Sequence, residues 1–141
     1  MLVIIDSSVV AKWFFEEDLS TQAIAVRQNW IGSKLDLLAP DLILTEVSNI
    51  IWKKQRLGLI SNLEARDTLI DLLALALPTV SSQSLLIAAY NLAEKCDRTV
   101  YDSLYLALSI QMQAELIRAD LRLYNAVSSK LSLVKYLGNY Y

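Results

Sequence analysis

Residues 2–6 have the sequence LVIID, an aliphatic run that stops at a carboxylate. A run without any polar position predicts a strand that is buried on both faces, as at the centre of a parallel sheet. Short apolar segments at 35–39, 77–80, 114–120 and 131–137 predict four further strands, separated by helical patterns. Strands alternating with helices predict a three-layer α/β/α domain around a parallel sheet of about five strands.

Local signals place the helices between these strands. Pro40 suits the first turn of a helix, where its missing N–H is no loss, and Gly58 suits the position just after a helix end. Ser61 and Glu64 stand at the spacing of a capping box. We predict helices over 8–15, 20–32, 40–57, 61–75, 82–96, 99–113 and 121–130.

Length and composition favour one domain that spans residues 1–141. Hydrophobic residues make up 55% and charged residues 20%, and this apolar excess favours a contact with another subunit or partner. No segment approaches the roughly 18 apolar residues of a membrane span. The start of the chain lacks a secretory signal pattern, and the single cysteine, Cys96, cannot form an internal disulfide. We therefore expect a cytoplasmic protein that does not bind membranes.

Missing residue types exclude several kinds of chemistry. The chain has no histidine, which excludes Ser-His-Asp and Cys-His catalysis, histidine-pair ribonucleases and the usual zinc sites. Its three glycines, Gly32, Gly58 and Gly138, are too scattered for a Walker loop or a GxGxxG fingerprint. The chemistry that remains is mainly that of carboxylates and metals.

Four acidic residues are candidate catalytic residues and metal ligands: Asp6, Glu46, Asp102 and Asp120. Asp6 and Asp120 follow predicted strands, and parallel sheets place their sites at the carboxyl ends of strands. Glu46 lies inside a predicted helix, on its apolar stripe. A carboxylate that faces a core must be paired, protonated or bound to a metal.

Each acid also has a purely structural explanation. Asp6 can cap the helix that follows it, and Asp120 can occupy a cap or a turn. Asp102 stands three residues after Thr99, the spacing of a capping box. Glu46 can be neutralised by a basic partner or by protonation. The residues alone leave both explanations open.

A cluster of these acids would need a cation. Two carboxylates about 4 Å apart repel each other by roughly 4 kcal/mol at an effective dielectric constant of about 20. Because all the donors are oxygens, the expected cofactor is a hard ion, Mg²⁺ or Mn²⁺, as one ion or as two. Such an ion polarises a phosphoryl oxygen and lowers the pKa of bound water, which suits phosphodiester hydrolysis.

Four blocks of sequence carry a resemblance to a known family. They are VIIDSSVVAKWFFEED, APDLILTEVSNIIWKKQRLG, TVYDSLYLALS and LIRADLRLYNAV, and they occur in this order over residues 3–127. Together they resemble the PIN-domain family, and specifically the VapC-type toxins of bacterial and archaeal toxin–antitoxin pairs. The resemblance implies a PIN-like fold and a metal-dependent endonuclease that hydrolyses RNA. It also implies a cognate antitoxin and a homodimer.

The resemblance further implies roles for individual residues. Metal ligands would be Asp6, Glu46 and Asp102, with Asp120 completing the acidic pocket. Ser8 corresponds to a small polar position that supports the first aspartate, although a serine that merely starts a helix explains it equally well. One position departs from the family pattern, because Arg118 stands where the family usually has Thr or Ser. We therefore expect pocket geometry near Asp120, or substrate preference, to differ.

A net charge of −2 lacks the basic footprint of a general nucleic-acid binder, so phosphate binding must be local. Candidate contacts are Lys12, Lys53, Lys54, Arg56, Arg118 and Arg122, each of which can equally be a solvated charge. Two other functions stay open: a PIN-like binding module without catalysis, and a receiver-type signalling domain. The latter needs an aspartate after its third strand, and LPTVSSQ supplies none.

Overall fold

A computed structural model describes residues 1–140 and shows a parallel sheet with helices on both faces. Its strands are β1 (Leu2–Ile5), β2 (Asp36–Pro40), β3 (Thr79–Val80), β4 (Glu115–Arg118) and β5 (Val134–Tyr136). All neighbouring strands pair in parallel, in the order β3-β2-β1-β4-β5. The aliphatic run at the start of the chain is therefore the central strand, and the three-layer α/β/α fold is confirmed.

Seven α-helices connect the strands within residues 1–140. They are α1 (Ser7–Val10), α2 (Ser20–Ile31), α3 (Leu42–Arg56), α4 (Asn62–Ala74), α5 (Ser82–Cys96), α6 (Val100–Met112) and α7 (Leu121–Val127). Short 3₁₀ turns follow α1 and β5, at Ala11–Trp13 and Leu137–Asn139. None of the helices in this range is long and apolar enough to cross a membrane.

The helix α6 packs into the core along most of its length. It is buried from Ser103 to Ser109 and contacts α5 and the three strands β1, β2 and β4. The helix predicted over 99–113 is therefore confirmed. Leu106 and Leu108 are fully buried, and each such side chain contributes roughly 1.5–3 kcal/mol to folding. The residues at the start of α6 are thereby held rigidly beside β1.

Two predicted helix boundaries, the start of α4 and the end of α3, are confirmed. The hydroxyl of Ser61 accepts from the N–H of Glu64, whose side chain accepts from the N–H of Ser61, so the capping box is complete. Gly58 follows α3 with a φ of 74°, a conformation that glycine adopts without a steric penalty. These features fix the turn between α3 and α4.

The prediction that Pro40 starts a helix is wrong. Pro40 is the last residue of β2, and α3 begins at Leu42. The pairing of β2 with β1 extends only to Leu38, so the missing N–H of Pro40 removes no bond from that ladder. A proline at a strand end and a proline at a helix start differ by only a residue or two, and the sequence did not separate them.

Several predicted elements are shorter in the structure. The segment 8–15 forms α1 and a 3₁₀ turn rather than one helix, and β3 has two residues. The strand predicted over 114–120 ends at Arg118, because the chain turns there and Asp120 caps α7. The last helix ends at Val127, and β5 covers only 134–136. The order and type of these elements are as predicted.

The order of the strands determines where in the sheet the candidate site lies. The central strand β1 lies between β2 and β4, so the chain connections diverge at its carboxyl end, where ligands bind in open α/β sheets. Ile5 at the end of β1 pairs with Ile117 of β4. The next residues, Asp6 and Arg118, therefore leave neighbouring strands side by side.

Candidate functional site

Asp6 is a buried carboxylate at the end of β1, with 3% of its surface exposed. Its Oδ2 accepts from the N–H of Ser8 at 3.3 Å and from the hydroxyl of Ser8 at 2.5 Å, so it caps α1. Its Oδ1 lies 3.6 Å from Nη2 of Arg118. The cap and the candidate site therefore use different oxygens of one carboxylate, and the two explanations drawn from the sequence are compatible.

Ser8 ties two strand ends together. Its hydroxyl donates to Asp6 and accepts from the N–H of Ala119 at 3.2 Å, which belongs to the turn after β4. A serine that only started a helix would not need the second bond. The contacts therefore support the positioning role that the resemblance implied for Ser8.

Glu46 lies on α3, half-buried beside the fully buried Ile43 and Val47. Its Oε1 accepts a 2.5 Å hydrogen bond from the hydroxyl of Tyr105. Burial raises the pKa of Glu46 above its usual 4.5, and the negative charges of Asp6 and Asp102 raise it further. The bond from Tyr105 acts in the opposite direction. The three acids therefore form one electrostatic cluster.

Asp102 lies in the first turn of α6. Its N–H donates to the hydroxyl of Thr99 at 3.1 Å, which is one half of the predicted capping box. The other half is replaced, because Oδ1 of Asp102 accepts from Nη2 of Arg118 at 3.2 Å. The carboxylate therefore faces the sheet rather than the start of its own helix.

Arg118 contacts both aspartates of this cluster. It is only 4% exposed, and its Nη2 is shared between Asp6 and Asp102. Its Nε and Nη1 are buried and have no hydrogen-bond partner among residues 1–140. The prediction of a possible phosphate contact is not supported by this buried position. The departure from the family pattern instead supplies a basic partner inside the acidic cluster.

Tyr105 belongs to the site and was missed in the sequence. It is 1% exposed, and burial raises the pKa of its hydroxyl far above 10, with further increases from the charges of Asp6 and Glu46. The hydroxyl therefore stays protonated and acts as a donor. Tyr105 lies three residues after Asp102, on the same face of α6, which was the available signal. An aromatic residue in an apolar helix is ordinarily core, and this hid its role.

Asp120 is exposed and caps α7, with Oδ1 accepting from the N–H of Leu123 at 3.2 Å. Within the described range, no hydrogen bond or ion pair joins its side chain to the other three acids. The structure therefore brings Asp6, Glu46 and Asp102 together around Arg118. Asp120 starts the helix two residues beyond that arginine.

Two of the other basic candidates have acidic partners. Lys12 and Lys54 lie 3.0 Å and 3.6 Å from the carboxylate of Glu17, and Lys54 also lies over the ring of Phe15. The side chains that remain exposed are those of Lys53, Arg56 and Arg122.

The carboxylate oxygens of Asp6, Glu46 and Asp102 are suitable ligands for a hard cation. Their arrangement in this structure is not that of a site with an ion bound. Among residues 1–140, no group of three or more acidic or cysteine side chains is arranged to hold an ion. Arg118 lies against two of the carboxylates instead. All three acids offer oxygen, the ligand that Mg²⁺ and Mn²⁺ prefer. Burial, and after it the charges of Asp6 and Asp102, raise the pKa of Glu46 although Arg118 acts to lower it.

Comparison with known proteins gives a consistent result. The PIN domain family matches residues 3–128. Ribonuclease VapC3 of Pyrobaculum aerophilum is 33% identical over 125 residues, which cover 87% of this chain and 92% of that protein. The crystal structure of PAE2754 from Pyrobaculum aerophilum superposes with a TM-score of 0.67 over 98% of this chain and 90% of that one. At 17% identity, this last likeness concerns the fold alone.

The family match covers all three clustered acids, Ser8, Tyr105 and Arg118, and extends through α7. The receiver-type alternative is thereby excluded. The chain belongs to the PIN-domain family and is a VapC-type member of it.

Proposed function

We propose that this protein is a metal-dependent endoribonuclease, the toxin of a type II toxin–antitoxin pair. The observation that carries the proposal is the gathering of Asp6, Glu46 and Asp102, from three separate elements, at the carboxyl end of the central strand. Structural ion pairing alone does not require three acids around one arginine. The likeness to Ribonuclease VapC3 supports RNA as the substrate class.

In this proposal, Asp6, Glu46 and Asp102 hold Mg²⁺ or Mn²⁺, and Asp120 completes the pocket from the start of α7. The ion would supply the Lewis acidity and the water of lowered pKa that phosphodiester hydrolysis needs.

The chain's own contribution is to hold the carboxylates in place. Ser8 fixes one oxygen of Asp6, which leaves the other facing the cluster. Tyr105 fixes one oxygen of Glu46 from within the core, and Thr99 anchors the backbone at Asp102. Ligands held by such supporting bonds lose little freedom when they bind an ion.

Recognition of RNA and of protein partners would use separate surfaces. Three basic side chains are exposed and available for phosphate contacts: Lys53, Arg56 and Arg122. A few such side chains would bind phosphate locally, as the negative net charge of the chain requires. A homodimer and a cognate antitoxin would cover apolar side chains that the monomer leaves exposed on α4 and α5. These include Leu63, Ile70, Leu73, Leu86, Ile87 and Tyr90.

The test uses the purified protein, freed of any co-purifying partner, on single-stranded and structured RNA. We expect cleavage with Mg²⁺ or Mn²⁺, no cleavage in EDTA, and recovery when the ion is restored. Asp102→Asn should abolish cleavage, whereas Asp67→Asn should not, since it removes the same charge from an exposed site on α4. Cleavage that survives both chelation and Asp102→Asn would remove the metal mechanism.

A second candidate is a PIN-like binding module without catalysis. The observation that favours it is Arg118, which occupies two of the carboxylates that an ion would need. In that case the protein would bind RNA or its partner without cutting RNA at any concentration of Mg²⁺ or Mn²⁺. The same assay therefore separates the two candidates.

A further inference from the structure

We propose that Arg118 is an internal competitor of the divalent cation, because its guanidinium holds the carboxylates of Asp6 and Asp102 that the ion needs. Binding of the ion would require these contacts to break, so the arginine sets a higher threshold concentration of metal. This inference rests on the metal site of the proposed function.

The first observation is the geometry of a single atom. Nη2 of Arg118 lies 3.2 Å from Oδ1 of Asp102 and 3.6 Å from Oδ1 of Asp6. One positive group between two carboxylate oxygens supplies the neutralisation that a cation would otherwise provide. Arg118 and Asp6 are buried, so dissolved salt screens this interaction only weakly. The arginine and the ion would therefore compete for the same oxygens.

The second observation is that most hydrogen-bond donors of the Arg118 side chain lack an acceptor among the described residues. Its Nε and Nη1 are buried without partners among residues 1–140, so most of its N–H groups make no hydrogen bond. A buried arginine with a purely structural role would ordinarily have these donors paired. Attraction to the acids is thus the main force that holds the guanidinium here. A stronger positive charge can displace it.

The third observation is the position of Arg118 in the sheet. It is the last residue of β4, and the pairing of Ile5 with Ile117 places it directly beside Asp6. The side chain therefore reaches the cluster from a rigid strand, with no loop movement. A smaller residue at this position would leave the three acids without a positive partner, and they would bind a cation more readily.

The experiment measures Mn²⁺ binding by the paramagnetic resonance of the free ion, without reference to activity. The proteins are the full chain, Arg118→Met, Arg118→Lys and the control Arg122→Met, which removes an exposed arginine from the neighbouring helix. We expect Arg118→Met to bind Mn²⁺ about tenfold more tightly than the unaltered chain. Arg118→Lys should fall between the two, and Arg122→Met should match the unaltered chain.

Thermal unfolding gives a second measurement, which remains informative even if Arg118→Met is less stable than the unaltered chain. In EDTA, Arg118→Met should melt below the unaltered chain, because the acids lose their positive partner. Added Mn²⁺ should raise its melting temperature more than that of the unaltered chain. Adding Asp6→Asn to Arg118→Met should remove most of the gain in affinity, which locates the ion.

The possible outcomes distinguish failure of this inference from failure of the proposed function. Equal or weaker Mn²⁺ affinity in Arg118→Met, with binding retained by the unaltered chain, overturns the competition and leaves the proposed function standing. Absence of Mn²⁺ binding in every variant overturns the metal site itself, and this inference with it.

Discussion

The hydroxyl of Tyr105 donates a 2.5 Å hydrogen bond to Oε1 of Glu46, so a core residue of α6 fixes the carboxylate of α3. The tyrosine is buried and stays protonated, and it therefore favours the ionised form of its partner. Burial and the two neighbouring aspartates favour the protonated form. The charge state of Glu46 therefore depends on the balance between the hydrogen bond from Tyr105 and the combined effect of burial and the two aspartates.

Tyr105→Phe should lower RNA cleavage and change its pH dependence. Loss of the bond raises the pKa of Glu46 further, so the acidic limb of the pH–rate profile should move to higher pH. We expect kcat/KM to fall about tenfold at neutral pH and stability to fall by roughly 1 kcal/mol. Tyr90→Phe, on an exposed face of α5, is the matched control. A lower rate with an unmoved limb would mean that Tyr105 acts only through packing.

Glu46→Gln should stabilise the metal-free protein at neutral pH while abolishing cleavage. The pKa of Glu46 is higher in the folded chain than its usual 4.5, so the stability associated with its protonated form is complete below that value. This stability is lost as pH rises through the folded pKa. Glutamine cannot ionise and avoids the loss.

Urea unfolding in EDTA checks this prediction. The gain should be on the order of 1 kcal/mol at neutral pH and should vanish in acid, where both side chains are neutral. A gain that is the same at every pH would show that ionisation of Glu46 is not its cause.

Asp41→Ala should weaken the fold without changing the chemistry. Oδ1 of Asp41 accepts from the N–H and the hydroxyl of Ser82, which joins the start of α3 to the start of α5, and these bonds lower the pKa of Asp41. A lowered pKa means that the stability is present above the usual 3.8 and is lost as pH falls through the folded value. Because Asp41 is exposed and solvent screens its charge, we expect a loss of no more than about 0.5 kcal/mol at neutral pH, shrinking in acid. Cleavage per folded molecule should be unchanged, and a large fall would place Asp41 in the site.

The sequence predicted the central strand, the parallel sheet and most helices because each has a local cause. An unbroken aliphatic run forces a strand to be buried on both faces, and Ser61 with Glu64 determines where α4 begins. Pro40 was misplaced because its missing N–H is tolerated at a strand end as well as at a helix start. Boundaries such as the end of β4 depend on which residue caps the next helix, and this is settled by packing.

The candidate site was predictable in part. Glu46 stood out because a carboxylate on an apolar helical stripe needs a partner, and that partner proved to be Tyr105. Arg118 departs from the family pattern in the sequence itself. Its two ion pairs depend on the register of β4 against β1, which no local signal encodes.

Asp6→Asn should abolish growth inhibition on expression and should also destabilise the protein, because it leaves Arg118 buried with one ionised partner fewer. A double-mutant cycle with Arg118→Met separates these effects. In EDTA the double variant should lose less stability than the sum of the single variants, with a coupling of roughly 0.5–3 kcal/mol. The same cycle between Asp6→Asn and Arg122→Met should be additive, since Arg122 is exposed on α7. Additive losses in the first cycle would show that the 3.6 Å contact between Asp6 and Arg118 carries no energy in solution, and toxicity retained by Asp6→Asn would remove this carboxylate from the mechanism.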